Sequence, residues 1–414
     1  MRKSIRLSAA GLCILLLAGC SSVAASPGGQ KDAASPINIG VIGTFSGSLA
    51  VSSVDAEYVM QAWTASVNAS GGLAGHPVKL FVEDTGDDPS SGLTEMQTMI
   101  QQDHIVAVVG MADDNPTWET YASTAGVPVV GGGGLGLQYL TDPNFYDVGG
   151  NLLSVFNALD ELAVTHGPKT AILYCAEVPG CAAAGVLEGT LGKPLGLTVA
   201  LKAGVSATAS NFTANCLALK SSGSQSYDLS VTPTEIARIV AQCDQLGYKA
   251  PLIEPGTTAS STLTSEPAFN GVTWADAFTP FFEDDTPATE AFHHALAKYE
   301  PTVGSSAVPL NPIGIAAWES GQLFAAAIKA SGATSKTAIT SALVKKGLYA
   351  IKGTTLGGLT PPLTYTPGKA TAFNCYYSYS IQNGKFVVAP GPQPVCANAA
   401  TNKLIAGIVA SLSK

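Results

Sequence analysis

Apolar runs and amphipathic stretches alternate in blocks along most of this chain. Residues 37–43 form a short apolar run ending at glycine, the pattern of a buried strand. Residues 56–70 carry apolar side chains at helical spacing and stop at Gly71-Gly72, a C-cap signal. The same reading predicts strands at 78–83, 106–110 and 127–130, with helices at 90–103 and 117–125. The alternation restarts after Asn151. Helix 153–166 leads to strand 170–174, helix 182–192 to strand 198–201, helix 212–221 to strand 227–231, and helix 235–246 to strand 252–254. Residues 287–299, 312–331 and 335–346 read as further helices. Strands at 373–382 and 385–388 flank Asn383-Gly384, a tight hairpin turn. Strands alternating with helices imply βαβ units and parallel sheets, so the expected class is α/β with two lobes of similar size.

The first residues break this pattern. Arg2, Lys3 and Arg6 precede an apolar run over 7–18, then Leu17-Ala18-Gly19-Cys20. That is the layout of a secretory signal peptide, and the run is shorter than the about 20 residues a spanning helix needs. Small residues before a cysteine resemble a bacterial lipoprotein signal, with residues 1–19 removed and Cys20 lipidated. Residues 21–36, rich in Ser, Ala, Gly and Pro, read as a flexible tether. The expected location is the extracytoplasmic face of the cell membrane, held by the lipid anchor.

Composition supports export of a folded body. Of 414 residues, 46% are hydrophobic and 12% charged, enough apolar surface for large cores. Loss of residues 1–19 removes three basic residues and no acidic one, moving the net charge from −9 to −12. An acidic surface argues against nucleic acid and against anionic lipid. Apart from Cys13 and Cys20, six cysteines remain: Cys175, Cys181, Cys216, Cys243, Cys375 and Cys396. An even number in an exported chain implies disulfides, although their connectivity stays open. Pairing of sequence neighbours gives 175–181, 216–243 and 375–396. No Cys-x-x-Cys occurs and no histidine lies close to these cysteines in sequence, so a metal site is disfavoured.

Six segments stand out in order along the chain: Ile39-Gly40-Val41-Ile42-Gly43-Thr44-Phe45-Ser46-Gly47, Asn68-Ala69-Ser70-Gly71-Gly72-Leu73-Ala74-Gly75, Glu83-Asp84 with Asp88-Pro89, Val108-Val109-Gly110, Gly126-Val127-Pro128-Val129 and Cys243-Asp244-Gln245-Leu246-Gly247-Tyr248. Together they resemble the branched-chain amino-acid (Leu/Ile/Val) binding proteins of ABC transporters. The resemblance covers roughly residues 37–395. It implies the type I periplasmic-binding fold: two Rossmann-like lobes joined by three crossover strands, with ligand trapped between them by hinge closure. The crossovers are expected near 146–149, 272–278 and 356–373. Lobe 1 is then 37–147 plus 279–356, and lobe 2 is 148–278 plus 357–400.

In open parallel sheets, ligands bind at the carboxyl ends of the strands. Those ends are 44–52, 111–117 and 131–136 in the first lobe, and 232–234 and 254–258 in the second. Ser46 and Ser52 are candidate hydroxyl contacts. The resemblance implies that a serine holding a ligand carboxylate falls at Asp114, next to Asp113. It places a threonine near Leu135, in the run Gly131-Gly132-Gly133-Gly134-Leu135-Gly136. An acidic residue for the ligand ammonium falls near Gly256, two residues after Glu254, and an aromatic near Thr232. The chain departs from the family at these polar contacts. A carboxylate ligand would meet Asp114 instead of a hydroxyl, and like charges in a partly buried cleft repel. The expected ligand is therefore not a standard branched-chain amino acid but a neutral or cationic polar molecule. The alternative reading is that Asp113 or Asp114 caps the helix starting near Pro116. The glycine run lacks the Lys-Ser/Thr of a phosphate loop and reads as a backbone approach to a ligand or a flexible turn. Phe281, with Phe282, lines the cleft or packs in the core. Trp63, Trp118, Trp274 and Trp318 read mainly as core or lobe-surface residues.

His76, His104, His166, His293 and His294 show no zinc spacing, and no Gly-x-Ser-x-Gly elbow occurs. An enzyme is not expected, and neither is a cofactor or metal. The expected function is a solute-binding lipoprotein that captures a small molecule, docks on an ABC permease and works as a monomer. A ligand sensor of the same fold, signalling to a membrane receptor, is the alternative. A surface hydrolase is a third class, distinguished by turnover.

Overall fold

The computed structural model describes residues 34–412 apart from 48–49, 87, 114–116, 134–135, 177–178, 207 and 389–392. Cys20, Asp114, Gly134 and Leu135 lie outside the described residues.

Five parallel strands form the first sheet: β1 (Ile37–Gly43), β2 (Val78–Asp84), β3 (Ala107–Met111), β4 (Val129–Gly132) and β5 (Phe145–Tyr146), in the order β2-β1-β3-β4-β5. Helices α1 (Val54–Ala69), α2 (Pro89–Gln101), α3 (Glu119–Ala125) and α4 (Gln138–Thr141) connect them. Local chemistry sets several boundaries. Asp88 accepts from Ser90 N and Pro89 takes the first helical position, so α2 starts there. Gly126 adopts φ 74° and ends α3, since a left-handed residue cannot continue the helix.

The second lobe opens with α5 (Leu152–Val164), started by a capping box between Asn151 and Ser154. It continues through β6 (Lys169–Cys175), α6 (Pro179–Leu191), β7 (Thr198–Val205), α7 (Thr213–Ser222), β8 (Ser226–Ser230), α8 (Pro233–Gln245), β9 (Ile253–Pro255) and β10 (Thr273–Asp276). Strands β7-β6-β8 are parallel, a Tyr227–Leu252 bridge leads on towards β9, and β9 pairs parallel with β10. The chain then returns to the first sheet. Helix α10 (Pro312–Ala330) packs on β3 and β4, α9 (Pro287–Tyr299) and α10 pack on α1, and α11 (Ser341–Ala350) packs on α10.

After the small pair β11 (Lys352–Thr354) and β12 (Leu363–Thr364), the chain crosses back. Strand β13 (Cys375–Gln382) pairs antiparallel with β10, and β14 (Lys385–Val388) extends it through the Asn383-Gly384 turn. Strand β15 (Val395–Cys396) pairs with β13, and helix α12 (Ala399–Leu412) follows. The fold is thus α/β, with two lobes, and the second sheet gains an antiparallel edge from the hairpin.

The structure differs from the sequence reading at several elements. Helix α11 starts at Ser341, not 335, because Thr334 and Thr337 bond to each other and Thr340 caps the helix through Leu343 N. The segment 272–278, expected near the second crossover, holds β10 of the second sheet. Helix α12 was not expected, although Leu404, Ile405, Ile408 and Val409 recur at helical spacing. The four tryptophans are all buried. His293 is half-buried against Glu283 O, and burial lowers its pKa.

Disulfides join Cys175 to Cys181, Cys216 to Cys243 and Cys375 to Cys396, the pairing of sequence neighbours. Among the described residues, no helix is long and apolar enough to cross a membrane.

Candidate ligand cleft between the lobes

The chain passes between the lobes over 147–151, 277–286 and 351–374. These segments are bonded to one another. Gly150 N donates to Ala277 O at 2.9 Å, and Asn151 Nδ2 donates to Phe373 O at 2.9 Å. The Tyr365 hydroxyl donates to Asp147 O, and the Thr279 hydroxyl donates to Leu359 O. These bonds tie the three connections together. The lobes also meet away from it: Ser261 N donates to Leu310 O at 2.8 Å, and Leu310 N donates to Ser261 Oγ at 3.1 Å.

In the first lobe, Asp84 organises the loop after β1. Its Oδ1 accepts from Phe45 N at 2.9 Å, Ser46 N at 3.1 Å and Gly86 N at 2.9 Å. Burial opposes its charge, yet hydrogen bonds from Ser46, Gly86 and Phe45 outweigh that and hold the carboxyl below its ordinary range. Ser46 itself is exposed, and Ser52 lies half-buried in a short 3-10 turn. Asp113 is buried, and its Oδ2 accepts from Trp118 Nε1 at 2.9 Å, just before α3. Gly133 donates its N–H to Met111 O at 2.9 Å.

Two glycines of the run, Gly131 and Gly133, pack against a helix. A side chain at Gly131 would strike Ser320, and one at Gly133 would strike Ile313, both on α10. Gly131 and Gly132 also adopt φ of 61° and 141°, which favour glycine. At Gly131 and Gly133 the backbone is therefore in close approach to α10.

In the second lobe, Thr232 caps α8: Glu235 N donates to its Oγ1 at 3.4 Å, and its hydroxyl donates to Glu235 Oε2 at 2.8 Å. Glu254 is fully buried and accepts from Leu229 N at 3.0 Å and Thr258 Oγ1 at 3.2 Å. Burial, then the nearby Asp228, push its carboxyl well above the ordinary range. Gly256 has no room for a side chain, because the Asp276 carboxyl fills that space. Phe281 is buried in an aromatic cluster with Phe282, Tyr379 and Phe386.

Sequence reasoning missed a set of buried carboxyls, Asp55, Asp147, Asp276 and Glu319. Asp55 accepts from Asn311 N at 2.8 Å, at the start of α10, and burial pushes it to about 8. Asp147 and Asp276, at or beside two of the connections, are pushed by burial to about 7. Glu319 accepts from Thr279 N at 3.2 Å; burial, with Asp276 and Asp147 adding repulsion, raises it well above the ordinary value. A signal existed for two of them. Asp147 follows the apolar pair Phe145-Tyr146, and Asp276 follows Trp274-Ala275, so each acid ends a buried strand run. Among the described residues, no group of three or more His, Cys, Asp or Glu could hold a metal.

Residues 36–385 match the Periplasmic binding protein family. The chain belongs to that family. Solved periplasmic binding proteins share its fold. A fatty acid ABC transporter substrate-binding protein from Thermomonospora curvata is 18% identical, with TM-score 0.73, covering 89% of this chain and 94% of its own. An ABC transporter solute-binding protein from R. palustris, solved with 4-hydroxybenzoate, is 18% identical, with TM-score 0.69, over 87% of this chain and 97% of its own. A branched-chain amino acid transporter substrate-binding protein from Streptococcus pneumoniae, solved with isoleucine, is 18% identical, with TM-score 0.68, over 87% and 99%. At this identity the likeness shows the fold alone. Comparison with curated proteins finds no match.

Proposed function

We propose that this periplasmic binding protein is the extracytoplasmic solute-binding component of an ABC importer, anchored to the cell membrane through a lipid on Cys20. It captures one small polar molecule between its lobes as a monomer, closes about the hinge, and presents the closed form to a membrane permease. It carries out no reaction on the ligand. The observation that supports this reading is the pair of α/β lobes joined by three mutually bonded connections. Ligand shifts such a hinge only through its better affinity for the closed state.

The ligand proposed is neutral or cationic, not a standard branched-chain amino acid. Asp114 stands in sequence where a carboxylate-binding serine is expected. At Gly256 the expected ammonium-binding side chain is missing, and the space beside it holds Asp276. Ser46, Ser52, Thr232 and Asp276 are the proposed contacts among the described residues.

The test is a thermal-shift screen of the chain from Ser21 onward with disulfides intact. The panel holds amides, amines, polyols, aromatic acids and the branched-chain amino acids. A ligand at 100 times its dissociation constant adds about 2.7 kcal/mol, a readable shift. Stabilisation by amides, amines or polyols is expected. Stabilisation by leucine, isoleucine or valine would overturn the ligand class, and turnover of a bound compound would overturn the binding role.

A further inference from the structure

The match to the family ends at residue 385, yet the chain goes on to build β15 and α12. These elements are fixed to the second lobe. Cys396 pairs with Cys375 across β13 and β15 and is bonded to it by a disulfide. Ala397 N donates to Asn374 O at 2.8 Å. Asn374 Nδ2 donates to Asn402 Oδ1 at 2.5 Å, on the first turn of α12, while Asn374 Oδ1 accepts from Asn151 Nδ2 at 3.1 Å. Asn374 thus ties α12 to two of the three hinge connections. From there α12 runs to the other lobe. It packs against α4, which lies between β4 and β5 of the first sheet. Ile405 is only 1% exposed, and Leu404, Ile408 and Val409 pack half-buried around the same core, which also contains Leu140 of α4.

We propose that α12 is a strap across the hinge that holds the lobes together before ligand arrives. Its root moves with the second lobe, and its apolar face rests on α4 of the first. Opening the hinge separates α12 from α4 and exposes that face, so the contact favours the closed form. Affinity measured for any ligand scales with the fraction of chain in the binding-competent form, so the strap lowers the apparent dissociation constant without touching ligand. The inference rests on the hinge-closure reading above.

The test needs no ligand. Spin labels carried on non-canonical residues replace exposed Thr94 on α2 and exposed Ser221 on α7, and pulsed electron resonance reads the distance between lobes. The full chain is compared with a chain ending at Asn398, which keeps Cys396. Ser261→Trp, placed where the lobes touch at Leu310, serves as a wedge that opens the hinge independently of α12. Truncation is expected to shift the distribution to longer distances, as the wedge does, and to remove hydrogen-exchange protection from α4. If the wedge lengthens the distance and truncation does not, the strap is overturned while hinge closure stands. If neither lengthens it, hinge closure itself fails and the strap with it. Ile405→Ser in the complete chain carries the same expectation should the shortened chain not fold.

Discussion

The Tyr379 hydroxyl donates to Asp276 Oδ2 at 2.7 Å, tying β13 to the end of β10 where the chain leaves the second lobe. Both residues are buried. Burial raises the Asp276 carboxyl to about 7, and this hydrogen bond, with those from Phe278 and Ala277, holds it lower than burial alone would. Tyr379→Phe removes the donor and leaves the carboxyl oxygen unpaired. A loss of about 1–3 kcal/mol is expected. Urea denaturation reads it as a lower midpoint at unchanged slope. A loss below about 0.5 kcal/mol would show that this bond does not hold the hinge end of β10.

The buried carboxyls set a direction for stability against pH. Asp55 is raised to about 8 and Asp147 to about 7, chiefly by burial. In the second lobe, burial also raises Asp160, Glu188, Asp228 and Glu254, with mutual repulsion adding to it for Asp160, Glu188 and Glu254. Among the described residues, neither oxygen of Asp160 has a hydrogen-bond partner. Unfolded carboxyls titrate near about 4. Above that pH the unfolded chain has released protons that the folded chain keeps, so stability falls as pH rises. The contribution is full below about pH 4 and is lost as pH passes through about 7 to 8. His293, lowered by burial, opposes this trend as pH rises towards the ordinary histidine value of 6.5, whereas Asp84, held low, acts only below about pH 4. The urea midpoint is expected to be higher at pH 5 than at pH 8. Asp55→Asn keeps an acceptor for Asn311 N but cannot ionise, so it should flatten the slope by up to about 1.4 kcal/mol per pH unit between pH 5 and 7. A midpoint that rises from pH 5 to pH 8 contradicts this account.

Why the sequence shows the fold more clearly than the site follows from what each depends on. Strands such as β1 and β3 are buried on both faces, so they appear as short, largely apolar runs. The site depends on contacts between residues far apart in the chain. Gly131 and Gly133 look like a ligand-binding loop until α10, nearly two hundred residues later, is placed against them. Asp55 looks like an ordinary first-turn acid of α1, and only Asn311 N reveals what it holds. Glu254 looks like a cleft residue because it lies at a strand end, but its carboxyl is turned to Leu229 N inside the lobe. Helix α12 has a readable apolar spacing, yet nothing local says that it packs on α4.

The Cys216–Cys243 bond joins α7 to α8 within the core of the second lobe, with both residues fully buried. It closes a loop with a sequence separation of 27. Constraint of the unfolded chain by a loop of this length is worth about 3–4 kcal/mol in the chain-entropy treatment. The double substitution Cys216→Ala with Cys243→Ala should cost about that much in guanidinium denaturation. The effect belongs to the second lobe: hydrogen exchange should speed up in α7, α8 and β8 and stay unchanged in β1 to β4. Faster exchange spread evenly over both sheets would show instead that the two lobes unfold as one cooperative unit.

Gly131 tests whether the glycine run serves packing. Its φ of 61° disfavours any side chain, and a Cβ there would overlap Ser320 Oγ and Val148. Gly131→Ala therefore carries two separable costs. Backbone strain in the left-handed region is about 1 kcal/mol, and overpacking adds about 1–3 kcal/mol. Adding Ser320→Gly removes the main clash and leaves the strain, although it also weakens α10 by about 1 kcal/mol through the loss of helix propensity. The two changes should thus be less than additive in a double-mutant cycle, with a coupling of about 1–2 kcal/mol in favour of the pair. Strict additivity would mean that α10 does not rest on Gly131. The run would then be free to serve the cleft as the sequence suggests.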